Sequence, residues 1–191
     1  MSGAHDPYVL PPDLPVPIDD GAADHLQGAD LPSLSLPSTS GGEVDLAEAA
    51  KGTLVLYCYP RTGRPGEPLP PGWDEIPGAR GCTPQSCAFR DHFAELQALG
   101  GAVLGLSAQP LEDQVEFADR VHPPYTVLSD PALRLADALR LPTFEVAGMR
   151  LYRRLTLVAS ERRIVKVFYP VFPPDRNASE VLSWLADWAP K

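Results

Sequence analysis

A chain of 191 residues is long enough for one full domain with a sizeable core, and 44% hydrophobic with 21% charged residues is an ordinary globular composition. A formal net charge of −9 argues against nucleic acid and anionic membrane surfaces as partners, because both select clustered cations. No run of about eighteen apolar residues predicts a membrane span, and the prolines and Asp6 near the start do not read as a secretory signal, so a reducing cytoplasmic setting is expected.

Residues 1–30 read as a proline-rich extension, turn-forming over Pro7–Asp20, that drapes on the domain or is partly mobile. Leu34–Leu36 and Glu43–Leu46 flank Ser38-Thr39-Ser40-Gly41-Gly42, a hairpin signal. Thr53–Cys58 is a near-continuous apolar run, the pattern of a central buried strand, and Cys58 inside it reads as core. Arg61–Arg80 is rich in Gly and Pro and predicts a long loop. The next helix starts near Gly81-Cys82-Thr83-Pro84, where Pro84 suits a first turn, and Phe89, Phe93, Leu96 and Leu99 recur as its buried stripe. Ala102–Leu106 predicts a strand, Leu111–Arg120 a helix, Tyr125–Leu128 a strand, and Pro131–Leu139 a helix capped by Asp130. Leu155–Ala159 and Ile164–Tyr169 predict a hairpin of two strands. Asn177-x-x-Glu180 reads as a cap opening the last helix, with Val181, Leu185 and Trp188 facing inward. Helices that alternate with strands before a closing hairpin and helix make an α/β domain.

The chemistry concentrates at Cys82 and Cys87. Cys82 lies at a helix N-terminus, where unpaired N–H groups and the positive dipole end favour a thiolate, and a thiolate is a nucleophile. Residues i and i+5 on an intact helix stand about 8–9 Å apart at Cα, whereas a disulfide needs about 4.4–6.8 Å. If the two bond during turnover, the first turn or two of helix must unwind. Without export signals, a close dithiol is more often catalytic than structural. His5, His25, His92 and His122 are scattered, which gives a metal site little support.

Gly81-Cys82-Thr83, followed after three residues by Cys87 and then by Phe89-Arg90-Asp91, resembles the active-site helix of the peroxiredoxin Q (bacterioferritin-comigratory) branch of the AhpC/TSA thiol peroxidases. Tyr59-Pro60 at the end of the apolar strand resembles the Phe/Tyr-Pro of that family, and Arg154-Leu155-Thr156-Leu157 is similar to its Arg-x-Thr-Phe element. The resemblance runs from about Leu34 to the C-terminus. It implies a thioredoxin-like fold over residues 31–191, a central mixed sheet flanked by helices with an N-terminal β-hairpin. By the same resemblance Cys82 is the peroxidatic cysteine, Cys87 the resolving cysteine and Arg154 the fixed cation beside the sulfur. Pro60, Thr62 and Gly81 would border the peroxide. Hydrogen peroxide and organic hydroperoxides would be the substrates, an intramolecular Cys82–Cys87 disulfide the product, and thioredoxin or a glutaredoxin the reductant. A monomer needing no metal, haem or flavin is expected.

Two departures from the family pattern stand out. Pro60 and Cys82 are twenty-two steps apart where the family has seven, so about fifteen residues are inserted within 61–80, as a lid or as a surface decoration. The family hydroxyl three residues before the cysteine is replaced by Ala79, and Thr62, then Thr83, are the candidates to supply it. Arg153 alternates to the opposite face from Arg154 and should meet solvent. Two other functions remain open at this point: a dithiol–disulfide oxidoreductase or redox sensor, against which the five-residue spacing speaks, and a non-catalytic thioredoxin-fold interaction module.

Overall fold

The computed structural model describes residues 6–188, so His5 lies outside the described residues. Residues 6–30 are laid along the domain. Gly28 N–H donates to the carbonyl of Ile164, Ile164 N–H to that of Ala29, and Leu31 N–H to that of Arg162, while Leu26 is fully buried in the core. A short hairpin follows, β1 (Ser35–Pro37) antiparallel to β2 (Glu43–Asp45). Leu46, expected as its last strand residue, instead opens the one-turn helix α1 (Leu46–Ala49), because the Asp45 carboxylate caps the amide of Glu48.

The remaining elements are β3 (Thr53–Cys58), α2 (Cys82–Asp91), α3 (Phe93–Ala98), β4 (Gly101–Ser107), α4 (Leu111–Val121), β5 (Thr126–Ser129), α5 (Arg134–Leu139), β6 (Thr143–Val146), β7 (Met149–Tyr152), β8 (Leu155–Ser160), β9 (Arg163–Phe168) and α6 (Asn177–Asp187). The main sheet has the order β5-β4-β3-β8-β9. β3 and β4 pair parallel, as do β4 and β5, whereas β3–β8 and β8–β9 pair antiparallel. This is the expected α/β architecture with a mixed central sheet. β3 is buried on both faces, and its two-residue alternation sends neighbouring side chains into different cores. Leu54, Leu56 and Cys58 join Leu26, Leu31, Leu135 and Ala136 on one side. Val55 and Tyr57 join Cys82, Phe89, Phe117 and Val181 on the other, so α2, α4 and α6 cover one face together. Among the described residues no helix is long and apolar enough to cross a membrane.

Several local expectations are corrected. The single helix expected from Cys82 through Leu99 breaks at His92 (φ −96°, ψ 5°) into α2 and α3, and Leu99 ends 43% exposed rather than in the buried stripe. Helix α5 starts at Arg134, not Pro131. Asp130 still caps it, but across a turn, its two carboxylate oxygens accepting the amides of Arg134 and Leu135 at 2.9 Å each. The hairpin β6–β7 was not anticipated. Its two turn residues, Ala147 (φ 48°) and Gly148 (φ 76°), both adopt the positive φ of a type I′ turn, and alanine in the first position hid the signal. Arg153 is half-buried, donating from Nε to the carbonyl of Thr143 at 3.3 Å, rather than facing open solvent.

The 61–80 insertion has a small core of its own. Trp73, 3% exposed within a 3₁₀ turn (Trp73–Glu75), packs with Ala79 and Leu151 and lies 6.1 Å from the Phe144 ring. The insertion thus seats on the β6–β7 hairpin, and its final residues run directly into α2.

Candidate active site

Gly81 and Cys82 set the geometry. Gly81 is the N-cap of α2 with φ 98°, a region that favours glycine, and a Cβ there would collide with the Pro174 side chain and come within 2.8 Å of Leu10 Cδ2. Gly81→Ala is therefore expected to shift the start of the helix, lowering the thermal unfolding midpoint and slowing oxidation of Cys82. Cys82 is the first helical residue, where the leading N–H groups have no intrahelical acceptor.

Arg154, just before β8, is 3% exposed and converges on the sulfur. Its Nη2 donates to Cys82 Sγ at 3.1 Å and to the carbonyls of Ala79 (3.2 Å) and Arg80 (3.0 Å). Nε reaches the carbonyl of Gly78 at 3.3 Å, and Nη1 the Gln85 side-chain oxygen. Three consecutive carbonyls at the end of the insertion thus fix a buried guanidinium whose planar fork suits several acceptors at once. Ala79 contributes a main-chain oxygen where a side-chain hydroxyl is missing.

Gln85 passes the network on. Its Nε2 donates to Asn177 Oδ1 at 3.0 Å, and the Thr156 hydroxyl donates to the same oxygen at 2.6 Å. Asn177 is consequently fully buried as the first residue of α6, with Nδ2 unpartnered among the described residues, and does not act as the expected cap. One residue further along α2, the Tyr57 hydroxyl donates to Ser86 Oγ at 3.0 Å and the Tyr125 hydroxyl to the Ser86 carbonyl at 2.8 Å. Both anchors lie between the two cysteines. The positions of Gln85 and Asn177 escaped the sequence reading. The one available signal was that Gln85 falls four residues before Phe89, a polar group on the apolar stripe.

Cys82, Cys87 and Cys58 are all free thiols, and α2 is intact between the first two. Cys87 is half-buried, and that burial pushes its thiol up, with Arg90 pulling the other way. Cys58 is fully buried and pushed far above the ordinary thiol range, which suits a packed core residue. A narrow cleft lined by Arg61, Leu69, Trp73, Arg80 and Thr83, and by Pro7, reaches Cys82. The Thr62 hydroxyl does not serve the sulfur as expected. It donates to Gln109 Oε1 at 3.1 Å, because the same oxygen also holds the Thr62 amide at 2.8 Å. Pro60, expected to border the peroxide, is buried and does not line this cleft, its carbonyl accepting from the Ser107 hydroxyl at 3.2 Å.

The Redoxin family profile matches residues 26–182. Peroxiredoxin bcp1 of Schizosaccharomyces pombe is 33% identical over 151 residues, covering 77% of this chain and 68% of that protein. The chloroplastic peroxiredoxin Q of Gentiana triflora is 30% identical over 160 residues, covering 83% of this chain and 66% of that protein, so the chain spans about two thirds of the length of these curated relatives. Among solved structures, the peroxidoxin BcpB of Mycobacterium tuberculosis matches with a TM-score of 0.69 at 24% identity, covering 86% of this chain and 99% of that one. A mutant PrxQ of Xylella fastidiosa matches at 0.68 and 20% identity, covering 84% and 95%. These two likenesses speak for the fold.

Proposed function

Because the chain belongs to the Redoxin family, as a peroxiredoxin Q/Bcp-like protein, we propose that it is a thiol peroxidase acting on hydrogen peroxide and organic hydroperoxides. The observation that carries this reading is the Cys82 sulfur at the start of α2, 3.1 Å from the Arg154 guanidinium, with a second thiol on the same helix.

In this scheme the Cys82 thiolate attacks one oxygen of the O–O bond. The bond breaks, the sulfur gains that oxygen as sulfenic acid, and the other oxygen leaves as water or alcohol after taking a proton. Arg154 stabilises the anionic sulfur and, with the free amides of the first turn, the charge on the separating oxygens. The first turns of α2 then unwind. The Cys87 thiol, held protonated while buried, becomes hydrated, attacks the sulfenic sulfur, and a disulfide forms with loss of water. An external dithiol protein, thioredoxin or a glutaredoxin, takes over the bridge by exchange. The two cysteines lie on one helix, so the disulfide in this scheme is intramolecular and needs no second copy; action as a monomer in a reducing cytoplasmic compartment belongs to the same proposal.

Peroxide-dependent NADPH oxidation through a thioredoxin system tests the assignment. Turnover no faster than in the absence of the protein would leave a redox sensor or a non-catalytic module in its place. Thr83, buried and lining the cleft beside the sulfur, takes the hydroxyl role. Thr83→Val is expected to slow sulfenic acid formation about tenfold, roughly 1.4 kcal/mol of barrier. Thr62→Val should chiefly lower stability, by about 1 kcal/mol for the lost bond to Gln109. Stopped-flow oxidation and thermal unfolding of both variants separate the two hydroxyls, and a larger kinetic effect at Thr62 would reverse the assignment.

A further inference from the structure

The start of the described chain reaches the catalytic cysteine. Pro7 is buried and lines the same cleft as Cys82. Leu10 packs against Gly81, the residue that precedes Cys82, and so sits over the N-terminus of α2. Tyr8, between them, is 45% exposed. What holds it is Arg120 on α4. Arg120 Nη1 donates to the Tyr8 hydroxyl at 3.2 Å, and its guanidinium stands 5.7 Å from the centre of the Tyr8 ring. The same guanidinium donates from Nη2 to the carbonyl of Gly63 at 3.0 Å and from Nε to Glu116 at 2.9 Å. Gly63 also lines the cleft. One arginine therefore fastens two walls of the cleft, the N-terminal segment through Tyr8 and the insertion through Gly63.

We infer that Pro7–Leu10 is a strap across the entrance to Cys82, anchored by Tyr8 on Arg120, which limits the size of the hydroperoxide that reaches the sulfur. The inference rests on the peroxidase reading for its substrate, but the strap itself is a matter of access. Cys82 is only 3% exposed, and attack needs the sulfur in line with the O–O bond. A peroxide carrying only hydrogen can turn within a narrow cleft, whereas a tertiary or aromatic substituent must displace a wall. Of the two walls, the insertion is braced by the buried Trp73, while the strap forms no helix or strand and is held by Tyr8 on Arg120 together with the packing of Pro7 in the cleft and Leu10 on Gly81. The strap is the wall that yields. Tyr8 and Arg120 act as positioning residues, and Pro7 is the group placed to meet the substituent.

The test uses the full-length chain. In Tyr8→Ala the ratio of second-order rates for cumene hydroperoxide over hydrogen peroxide is expected to rise about fivefold or more, while Tyr8→Phe, which keeps the ring over Arg120, stays within about twofold of wild type. A loss of structure alone would move both peroxides together. A parallel arm needs no peroxide. In a Cys87→Ser background, Cys82 is alkylated by N-ethylmaleimide and by a maleimide bearing a bulky aromatic label. The bulky-to-small ratio is expected to rise in Tyr8→Ala as it does for the peroxides. An unchanged alkylation ratio overturns the strap. Wild-type protein inert to hydrogen peroxide overturns the peroxidase reading instead, and the alkylation arm then still decides on the strap.

Discussion

Cys82→Ser is expected to abolish peroxide consumption, down to the uncatalysed background, while leaving the fold intact. A serine hydroxyl remains protonated at neutral pH and is a poor nucleophile toward an O–O bond, and neither remaining thiol can substitute. Cys58 is sealed in the core on the far face of β3, and burial pushes the Cys87 thiol up as long as α2 is folded. Cys87→Ser should behave differently. It should consume about one equivalent of peroxide and stop at a Cys82 sulfenic acid, which a sulfenate-selective reagent traps and mass spectrometry locates. Equal loss of the first oxidation step in both variants would overturn the assigned roles.

Arg154→Ala should slow that first step by about 10²–10³-fold, the range found when one preorganised charge-stabilising donor is removed. The variant also strips partners from the carbonyls of Gly78, Ala79 and Arg80 and from the Gln85 side chain, so the end of the insertion should loosen and the unfolding midpoint should fall. Arg154→Lys keeps the charge but replaces a planar fork with a single ammonium, which cannot reach the sulfur, Gln85 and three carbonyls together, so rescue should be partial at best. Stopped-flow oxidation in a Cys87→Ser background isolates the chemical step from resolution. An Arg154→Ala rate within about threefold of wild type, well short of what loss of such a donor costs, would place the charge stabilisation elsewhere.

How much of this was legible in the chain depends on the range of the cause. Cys82 at a helix start follows from Gly81, Pro84 and the stripe through Phe89, all within a dozen residues, and the strand Thr53–Cys58 follows from its own apolar run. Arg154 could be named from a local motif, although its contact with the sulfur spans the chain. Gln85–Asn177–Thr156 could not be read, because three polar side chains from α2, α6 and β8 meet only after the core forms. Thr62 misled for the same reason. Its nearness to Pro60 in sequence pointed to the sulfur, but the fold brings Gln109 closer. The proline-rich start read as an extension either draped on the domain or partly mobile, and nothing local predicts that Leu26 fills the core or that Pro7 lines the cleft.

The two anchors of α2, Gln85 and Ser86, have a consequence for the electron economy of the site. Joining Cys82 to Cys87 requires giving up the bonds from Arg154 to Gln85, from Gln85 to Asn177, and from Tyr57 and Tyr125 to Ser86. At about 1 kcal/mol net for each of these buried bonds, the dithiol form is favoured by about 4 kcal/mol over a chain lacking them. With about 1.4 kcal/mol per 30 mV for a two-electron couple, that lifts the reduction potential of the disulfide by about 90 mV. In the proposed cycle, refolding of the helix would thus favour reduction, and a weaker donor would return the protein to its armed state than a chain without these anchors requires.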